Sequence, residues 1–156
     1  MLCATWATTV NLLAEGFTAS PAVAKALNID HADPAGRGPF CRVLVTTTAP
    51  NTPGTYAWVV DAQVMYIGKA KELVQIVKGY GMGRAYNDYT YMPASKAAQL
   101  SNPRVRINGL LNAALVAGRS VTWWWVATPT ETDALDLEAA LIRRWNPPWN
   151  RARPRR

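Results

Sequence analysis

The chain has 156 residues, of which 49% are hydrophobic and 17% are charged. This composition is typical of one folded domain and excludes a disordered chain. The formal net charge of +7 falls entirely within residues 51–156, and such a basic surplus indicates a polyanionic partner, most simply nucleic acid. No apolar run reaches the roughly 18 to 20 residues of a membrane span, and no basic residue precedes the apolar N-terminal stretch as in a secretory signal. We therefore expect a cytoplasmic protein that does not contact a membrane.

Residues 1–52 are predicted to form a mostly helical N-terminal extension that packs on the core. Two short helices are expected over 4–15 and 20–28, the second with Ser20 as its N-cap and Pro21 at its first position. A β-branched stretch predicts a strand over 42–48. Cys3 and Cys41 match no zinc or redox spacing, so we expect both to be reduced.

Residues 53–150 have the pattern of a small α/β (α+β) domain. Strands are predicted over 55–60 and 64–67, joined by a three-residue loop, and a third strand over 121–127. Helices are predicted over 69–79 and 103–117, with a long irregular loop between them. A last helix opens with a capping box of Thr128 and Glu131 and ends before Asn146. This order predicts a small three-stranded antiparallel sheet flanked by helices.

One acidic residue of the last predicted helix stands where its apolar pattern calls for a hydrophobic one. Ala134, Leu137, Leu141 and Trp145 form the apolar stripe, and Glu138 falls within it. A buried carboxylate is costly unless a cation, a proton or strong hydrogen-bond donors compensate it. The pattern alone leaves two interpretations open, a metal ligand and a carboxylate that pairs with an arginine at the edge of the stripe.

Two tyrosines are predicted to lie on one face of the hairpin. A three-residue loop pairs Val60 with Val64, and residues directly opposite each other share a face of the sheet. Tyr56, Trp58 and Tyr66 then point to the same side. Aromatic residues on a sheet commonly belong to the core, so this placement by itself is compatible with a purely structural role.

The ordered set of Gly54-Thr-Tyr56, Tyr66-Ile-Gly68, Glu138 and Asn150 resembles the GIY-YIG nuclease family, and in particular the incision domain of the bacterial excision-repair nuclease. The resemblance covers about residues 53–150. The tripeptides alone are weakly specific, but their spacing and order, with Glu138 twelve residues before Asn150, are strongly specific. The resemblance implies a metal-dependent endonuclease that hydrolyses the phosphodiester backbone of double- or single-stranded DNA.

The resemblance also implies the catalytic roles. One of Tyr56 and Tyr66 activates water while the other orients the phosphate or the water, and the sequence leaves open which does which. Glu138 is expected to bind a metal ion, Mg²⁺ or Mn²⁺, and to line the pocket into which both tyrosine hydroxyls point. A single Mg²⁺ held by one carboxylate and several waters suits a phosphate substrate.

Three further residues are implied to act on the substrate. Lys69, directly after the second tripeptide, is expected to contact a phosphate. Tyr80 matches a position where the family has a tyrosine or a histidine. Asn150 is expected to help hold the site or the substrate.

The family's arginine, four residues before the match to Tyr80, is replaced here by Ile76. An arginine there would stabilise charge on the phosphoryl oxygens, which isoleucine cannot do. Ile76 is predicted to flank the core of the domain instead of filling it. We therefore expect Arg84 to fold back into the space left by the missing arginine. Arg104 and Arg106 are further candidates for contacting the substrate. If none of them reaches the site, the alternative is a catalytically silent nucleic-acid-binding module with the same fold.

Residues 151–156 are predicted to be a basic C-terminal tail, in which four of the six residues are arginine. Arginine clusters of this kind bind the phosphates of nucleic acids. A solubilising tail has the same composition, and the sequence leaves both roles open.

Overall fold

The computed structural model describes residues 5–29, 40–44, 48–76 and 103–150. Its helices are α1 (Thr9–Ala14), α2 (Pro103–Val116) and α3 (Glu131–Trp145), and a helical turn is described over 73–76. Its strands, in chain order, are β1 (Thr18–Ala19), β2 (Ala24–Ile29), β3 (Phe40–Leu44), β4 (Gly54–Val60), β5 (Gln63–Ala70) and β6 (Val121–Ala127). None of the described helices is both long and apolar enough to cross a membrane.

The central sheet has the strand order β1-β6-β4-β5, and every neighbouring pair is antiparallel. β2 and β3 form a separate antiparallel pair that packs against α2. The prediction of an α+β fold with an antiparallel sheet between helices is confirmed. The sheet has four strands where the sequence predicts three, because β1 of the N-terminal segment adds to the edge of β6.

The N-terminal segment contains one of the two predicted helices. α1 lies within the predicted range 4–15, but the helix predicted over 20–28 is wrong. Ser20 and Val23 donate their backbone N–H groups to the carbonyl oxygens of Trp123 and Val121 at 2.7 and 2.8 Å, so the chain continues along β6 in extended form and enters β2. The Ser20 hydroxyl accepts a hydrogen bond from the Trp123 N–H instead of capping a helix. The strand predicted over 42–48 is found at Phe40–Leu44.

The hairpin of β4 and β5 has a two-residue turn, not the predicted three-residue loop. Asp61 and Ala62 both have positive φ, at 48° and 64°, as in the tight turns that fit the twist of a hairpin. Val60 therefore pairs with Gln63, and an irregularity at Trp58 shifts the register by one residue beyond it.

Beyond the irregularity, Trp58 pairs with Tyr66, and Tyr56 with Gly68. These are the partners that the sequence predicts, so Tyr56, Trp58 and Tyr66 lie on one face of the sheet, as predicted.

The two faces of the sheet are covered by different elements. The tyrosine face carries Tyr56, Trp58, Tyr66 and Trp123 and packs against α2 and the helical turn at Leu73. The other face, here called the α3 face, carries alternate residues of the same strands, with Ala57, Val59 and Ile67 packed against α1 and α3. α3 ends before Asn146 as predicted, but its capping box is formed by Thr130 and Asp133, not by Thr128 and Glu131.

Candidate active site

Tyr56 and Tyr66 are neighbours on the tyrosine face, with ring centroids 6.2 Å apart and ring planes tilted by 47°. The ring of Tyr56 also packs near the ring of Trp123, with 6.1 Å between the two centroids. Tyr56 is only 3% exposed, whereas Tyr66 is half-buried. Tyr66 is therefore the more exposed of the two tyrosines.

The glycine of each tripeptide is required by a close approach. A Cβ atom on Gly68 would lie 2.5 Å from Cζ of Tyr56 and 2.6 Å from its hydroxyl oxygen, so glycine is what lets the Tyr56 ring lie across β5. A Cβ atom on Gly54 would lie 2.4 Å from the backbone oxygen of Val126. Sequence reasoning used these glycines only as markers of a family and missed their packing role.

Glu138 is buried, with 8% of its surface exposed, as its position in the apolar stripe predicts. On the same side of α3, Leu141 packs on the α3 face, and the backbone oxygen of Ala134 accepts a hydrogen bond from the Thr55 hydroxyl at 3.0 Å. α3 thus lies on the face opposite the two tyrosine rings. The pocket predicted to be shared by Glu138 and the tyrosine hydroxyls stays a prediction, and it can form only where the two layers meet.

The side of α3 that carries Glu138 is turned towards β5, the outer strand of the described sheet. Glu131, seven residues earlier, pairs with Lys69 of β5. Residues seven apart on a helix are only about 20° apart around its axis, so Glu138 lies on the same side as Glu131. α3, which carries Glu138, and the ring of Tyr66 therefore lie on opposite faces of the sheet at β5.

Asn150 fixes this edge. Its Nδ2 donates to the backbone oxygen of Ile67 at 2.8 Å, and its Oδ1 accepts from the backbone N–H of Ile67 at 2.9 Å. The N–H of Trp149 also donates to the oxygen of Met65, at 2.8 Å. The segment after α3 is thus bonded to the residues on both sides of Tyr66. Of the two roles expected for Asn150, these contacts favour holding the site over contacting the substrate.

Lys69 is bound to a carboxylate of the same chain. Its Nζ lies 2.7 Å from Oε1 of Glu131, in the first turn of α3, and the two side chains are 34% and 46% exposed. The hydrogen bond from Lys69, its charge and the charge of Lys71 lower the pKa of Glu131. Lys69, which is predicted to contact a phosphate, is therefore paired with a carboxylate of α3.

The expectation that Ile76 flanks the core instead of filling it is wrong. Ile76 is 2% exposed and belongs to the cluster of the tyrosine face, together with Leu73 and Tyr56. Its side chain fills the position instead of vacating it. Arg84, which was expected there, lies outside the described residues, as does Tyr80.

Two other predicted ligands are described only by their backbone. Arg104 and Arg106 belong to the first turn of α2, and their side chains lie outside the described part. The predicted tail, residues 151–156, lies outside it as well.

The buried carboxylate of Glu138 is compatible with a magnesium ion. Within the described ranges, no group of three His, Cys, Asp or Glu side chains converges on one point. Mg²⁺ in phosphate-processing sites is held by one or two carboxylates, with waters and substrate oxygens completing its octahedron. The single carboxylate of Glu138 satisfies that requirement.

Comparison with known proteins gives a family and a fold. The family described as GIY-YIG domain-containing protein matches residues 47–155. The protein named UvrABC system protein C from Chelativorans sp. (strain BNC1) is 33% identical over 107 residues, 68% of this chain and 13% of the relative. The protein of the same name from Agrobacterium fabrum is 34% identical over 102 residues, which are 65% of this chain and 12% of the relative. The chain thus spans about one eighth of the length of these curated relatives.

Two solved structures are similar in shape. A point mutant of bacteriophage T4 EndoII superposes with a TM-score of 0.51 and 18% identity, covering 92% of this chain and 98% of that one. The GIY-YIG N-terminal endonuclease domain of UvrC from Thermotoga maritima, solved with its catalytic magnesium, has a TM-score of 0.39 and 23% identity, covering 66% of this chain and 88% of that one. The T4 structure supports the fold described above.

Proposed function

Because this chain belongs to the GIY-YIG domain family, we propose that it is a metal-dependent endonuclease that hydrolyses phosphodiester bonds of DNA. The observation that carries the proposal is the arrangement at β5. Tyr66 lies on this strand, Asn150 fixes the strand's outer edge, and the side of α3 that carries the buried Glu138 faces it. A phosphate at this edge lies between a phenol and a carboxylate.

The different burial of the two tyrosines supports an assignment of their separate roles, which the sequence leaves open. Tyr66 is half-buried and meets water, so we assign it to take the proton from the attacking water. A free tyrosine has a pKa near 10, and its phenolate is favoured only by nearby positive charge. Tyr56, enclosed at 3% exposure and packed against Tyr66, serves to orient that ring.

We assign Glu138 as the ligand of the metal ion, Mg²⁺ or Mn²⁺. The bound cation would neutralise charge on the phosphate and on the leaving oxygen. Glu138 lies on α3 between Ala134 and Leu141, and all three residues are buried.

We propose the residues that contact DNA from the distribution of positive charge in the chain. Lys69 is the described cation on the strand of Tyr66, and it must exchange its carboxylate partner for a phosphate. The basic surplus of residues 51–156 gives attraction to any phosphate backbone, whether the DNA is double- or single-stranded. Arg104 and Arg106 of α2, Tyr80, Arg84 and the C-terminal arginines remain proposed contributors.

A second function is favoured by the burial of Ile76. Where the family has an arginine to stabilise the phosphoryl charge, this chain has an apolar side chain packed in the core. If no other arginine supplies that charge, the domain is a catalytically silent module that binds nucleic acid.

A plasmid-nicking assay separates the two functions. The purified protein is incubated with supercoiled plasmid in Mg²⁺ and, as a control, in excess chelator, and its binding to the same DNA is measured by gel shift. Nicking in Mg²⁺ alone is the expected result. Binding without nicking under either condition would identify the silent module, and absence of both would contradict each proposal.

A further inference from the structure

Glu131 holds Lys69 at the place where a substrate phosphate is expected. Lys69 lies at the end of β5 on the α3 face, opposite Thr55, and its ammonium reaches the first turn of α3. Glu131 and Glu138 lie on the same side of α3, separated by two turns, or about 10 Å along the helix. A DNA backbone that reaches Glu138 along this side therefore runs towards the Lys69–Glu131 pair.

Glu131 is well suited to stay charged and in place. It lies in the first turn of α3, where the helix dipole favours a negative charge. Lys69 and, more weakly, Lys71 lower its pKa, so it remains a carboxylate at neutral pH. A carboxylate and a phosphate both present anionic oxygens to an ammonium group, so the two compete for Lys69.

We propose that Glu131 is an intramolecular competitor of the DNA phosphate for Lys69, and that this competition sets how tightly the site holds its substrate. The inference rests on the proposed function, since it needs a nucleic-acid backbone at β5. A phosphate displaces the Glu131 carboxylate, Lys69 turns to the phosphate, and Glu131 is left facing solvent. The exposure of both side chains lets this exchange take place without opening the core.

The expected effect is modest because the pair is exposed. Surface ion pairs contribute little, so a phosphate that must break this one loses about 1.5- to five-fold in affinity. An effect of that size tunes binding and release without deciding whether the site works.

The test is a double-mutant cycle on DNA binding with an external control. Affinity for a fluorescent duplex, and separately for a single strand, is measured by anisotropy in chelator, so that no cleavage occurs. The variants are Glu131→Gln, Lys69→Met and the two combined. Asp61→Asn is the matched control, because Asp61 forms a similar exposed pair with Arg119, at 2.8 Å, at the other end of β4.

The inference predicts that Glu131→Gln tightens binding about 1.5- to five-fold, and that this gain disappears when Lys69 is replaced by methionine. Asp61→Asn adds the same net charge and should change affinity less. Equal gains from both substitutions, or an undiminished gain without Lys69, would overturn the competition and leave the nuclease assignment standing. If the wild-type chain binds neither DNA, the proposed function itself fails.

Discussion

The two tyrosines differ in a way that the sequence does not reveal, because burial separates residues that the strand pattern treats alike. Tyr56 is enclosed by Trp123 on one side and by the bare backbone of Gly68 on the other. Tyr66, from the outer strand, keeps contact with solvent. A proton acceptor has to meet water, whereas a residue that orients another does not.

We therefore expect Tyr66→Phe to reduce the cleavage rate by about 10²- to 10⁴-fold, the usual contribution of a positioned proton acceptor, with little change in DNA affinity. Tyr56→Phe is the matched control, since it removes the same hydroxyl from the neighbouring ring and should cost less. Single-turnover cleavage and anisotropy binding of both variants check the assignment. A larger loss of rate in Tyr56→Phe than in Tyr66→Phe would reverse it.

Sequence reasoning succeeded in predicting the burial of Glu138 and failed at Ile76 for related reasons. Glu138 lies in the middle of a long helix. The apolar stripe of Ala134, Leu137 and Leu141 shows over several turns which side of this helix is buried. The predicted position of Ile76 assumes that Ala70 is part of the same helix, but Ala70 belongs to β5. With Leu73 as the first helical residue of the stripe, Ile76 falls directly on the buried face.

At the level of elements, tertiary pairing overrode local signals in the N-terminal segment. Ser20 followed by Pro21 is a good start for an isolated helix, yet the backbone N–H and the hydroxyl of Ser20 both pair with β6 instead. An unpaired sheet edge offers a whole row of hydrogen bonds, which exceeds the stabilisation from one cap. A sequence cannot show which edge is available, so the fourth strand was not predictable.

The β4–β5 turn stores strain that can be removed. Ala62 has φ of 64°, a left-handed conformation that costs a residue with a Cβ about 1–2 kcal/mol. Part of the relief from Ala62→Gly is lost to the greater freedom of glycine in the unfolded chain, so we expect a net stabilisation of about 0.5–1 kcal/mol. Urea denaturation measures the difference.

The opposite substitution is the control for this turn. Ala62→Val places a β-branched side chain in the same conformation and should destabilise the protein. If both substitutions changed the unfolding free energy in the same direction, backbone strain at residue 62 would not be the cause.

At the level of the whole molecule, the sequence predicts the class of fold and the type of partner well, because the alternating strands, the helical stripes and the charge balance are all properties of long segments. The sequence predicts less well on which face of the sheet each residue of the site lies. Whether Glu138 lies on the same side of the sheet as Tyr66 depends on how α3 crosses β4 and β5, and no local pattern encodes that crossing.

The basic surplus should be visible in the salt dependence of binding. Truncation after Asn150 deletes Arg151, Arg153, Arg155 and Arg156 and is expected to weaken binding to all sequences alike. Each lost phosphate contact should lower the log–log salt slope by about 0.9 for duplex DNA. Affinity measured over a series of salt concentrations tests this, and an unchanged slope would assign the tail to solubility.

The most direct test of the account is the cleavage rate of Glu138→Gln in Mg²⁺, compared with Asp136→Asn. Both substitutions replace a carboxylate on α3 with its amide, but Asp136 is exposed whereas Glu138 is buried on the side facing β5. Loss of the metal ligand should lower nicking by at least about 10²-fold while folding and DNA binding persist, and Asp136→Asn should nick at the wild-type rate. Nicking by Glu138→Gln at close to the wild-type rate would contradict the central claim.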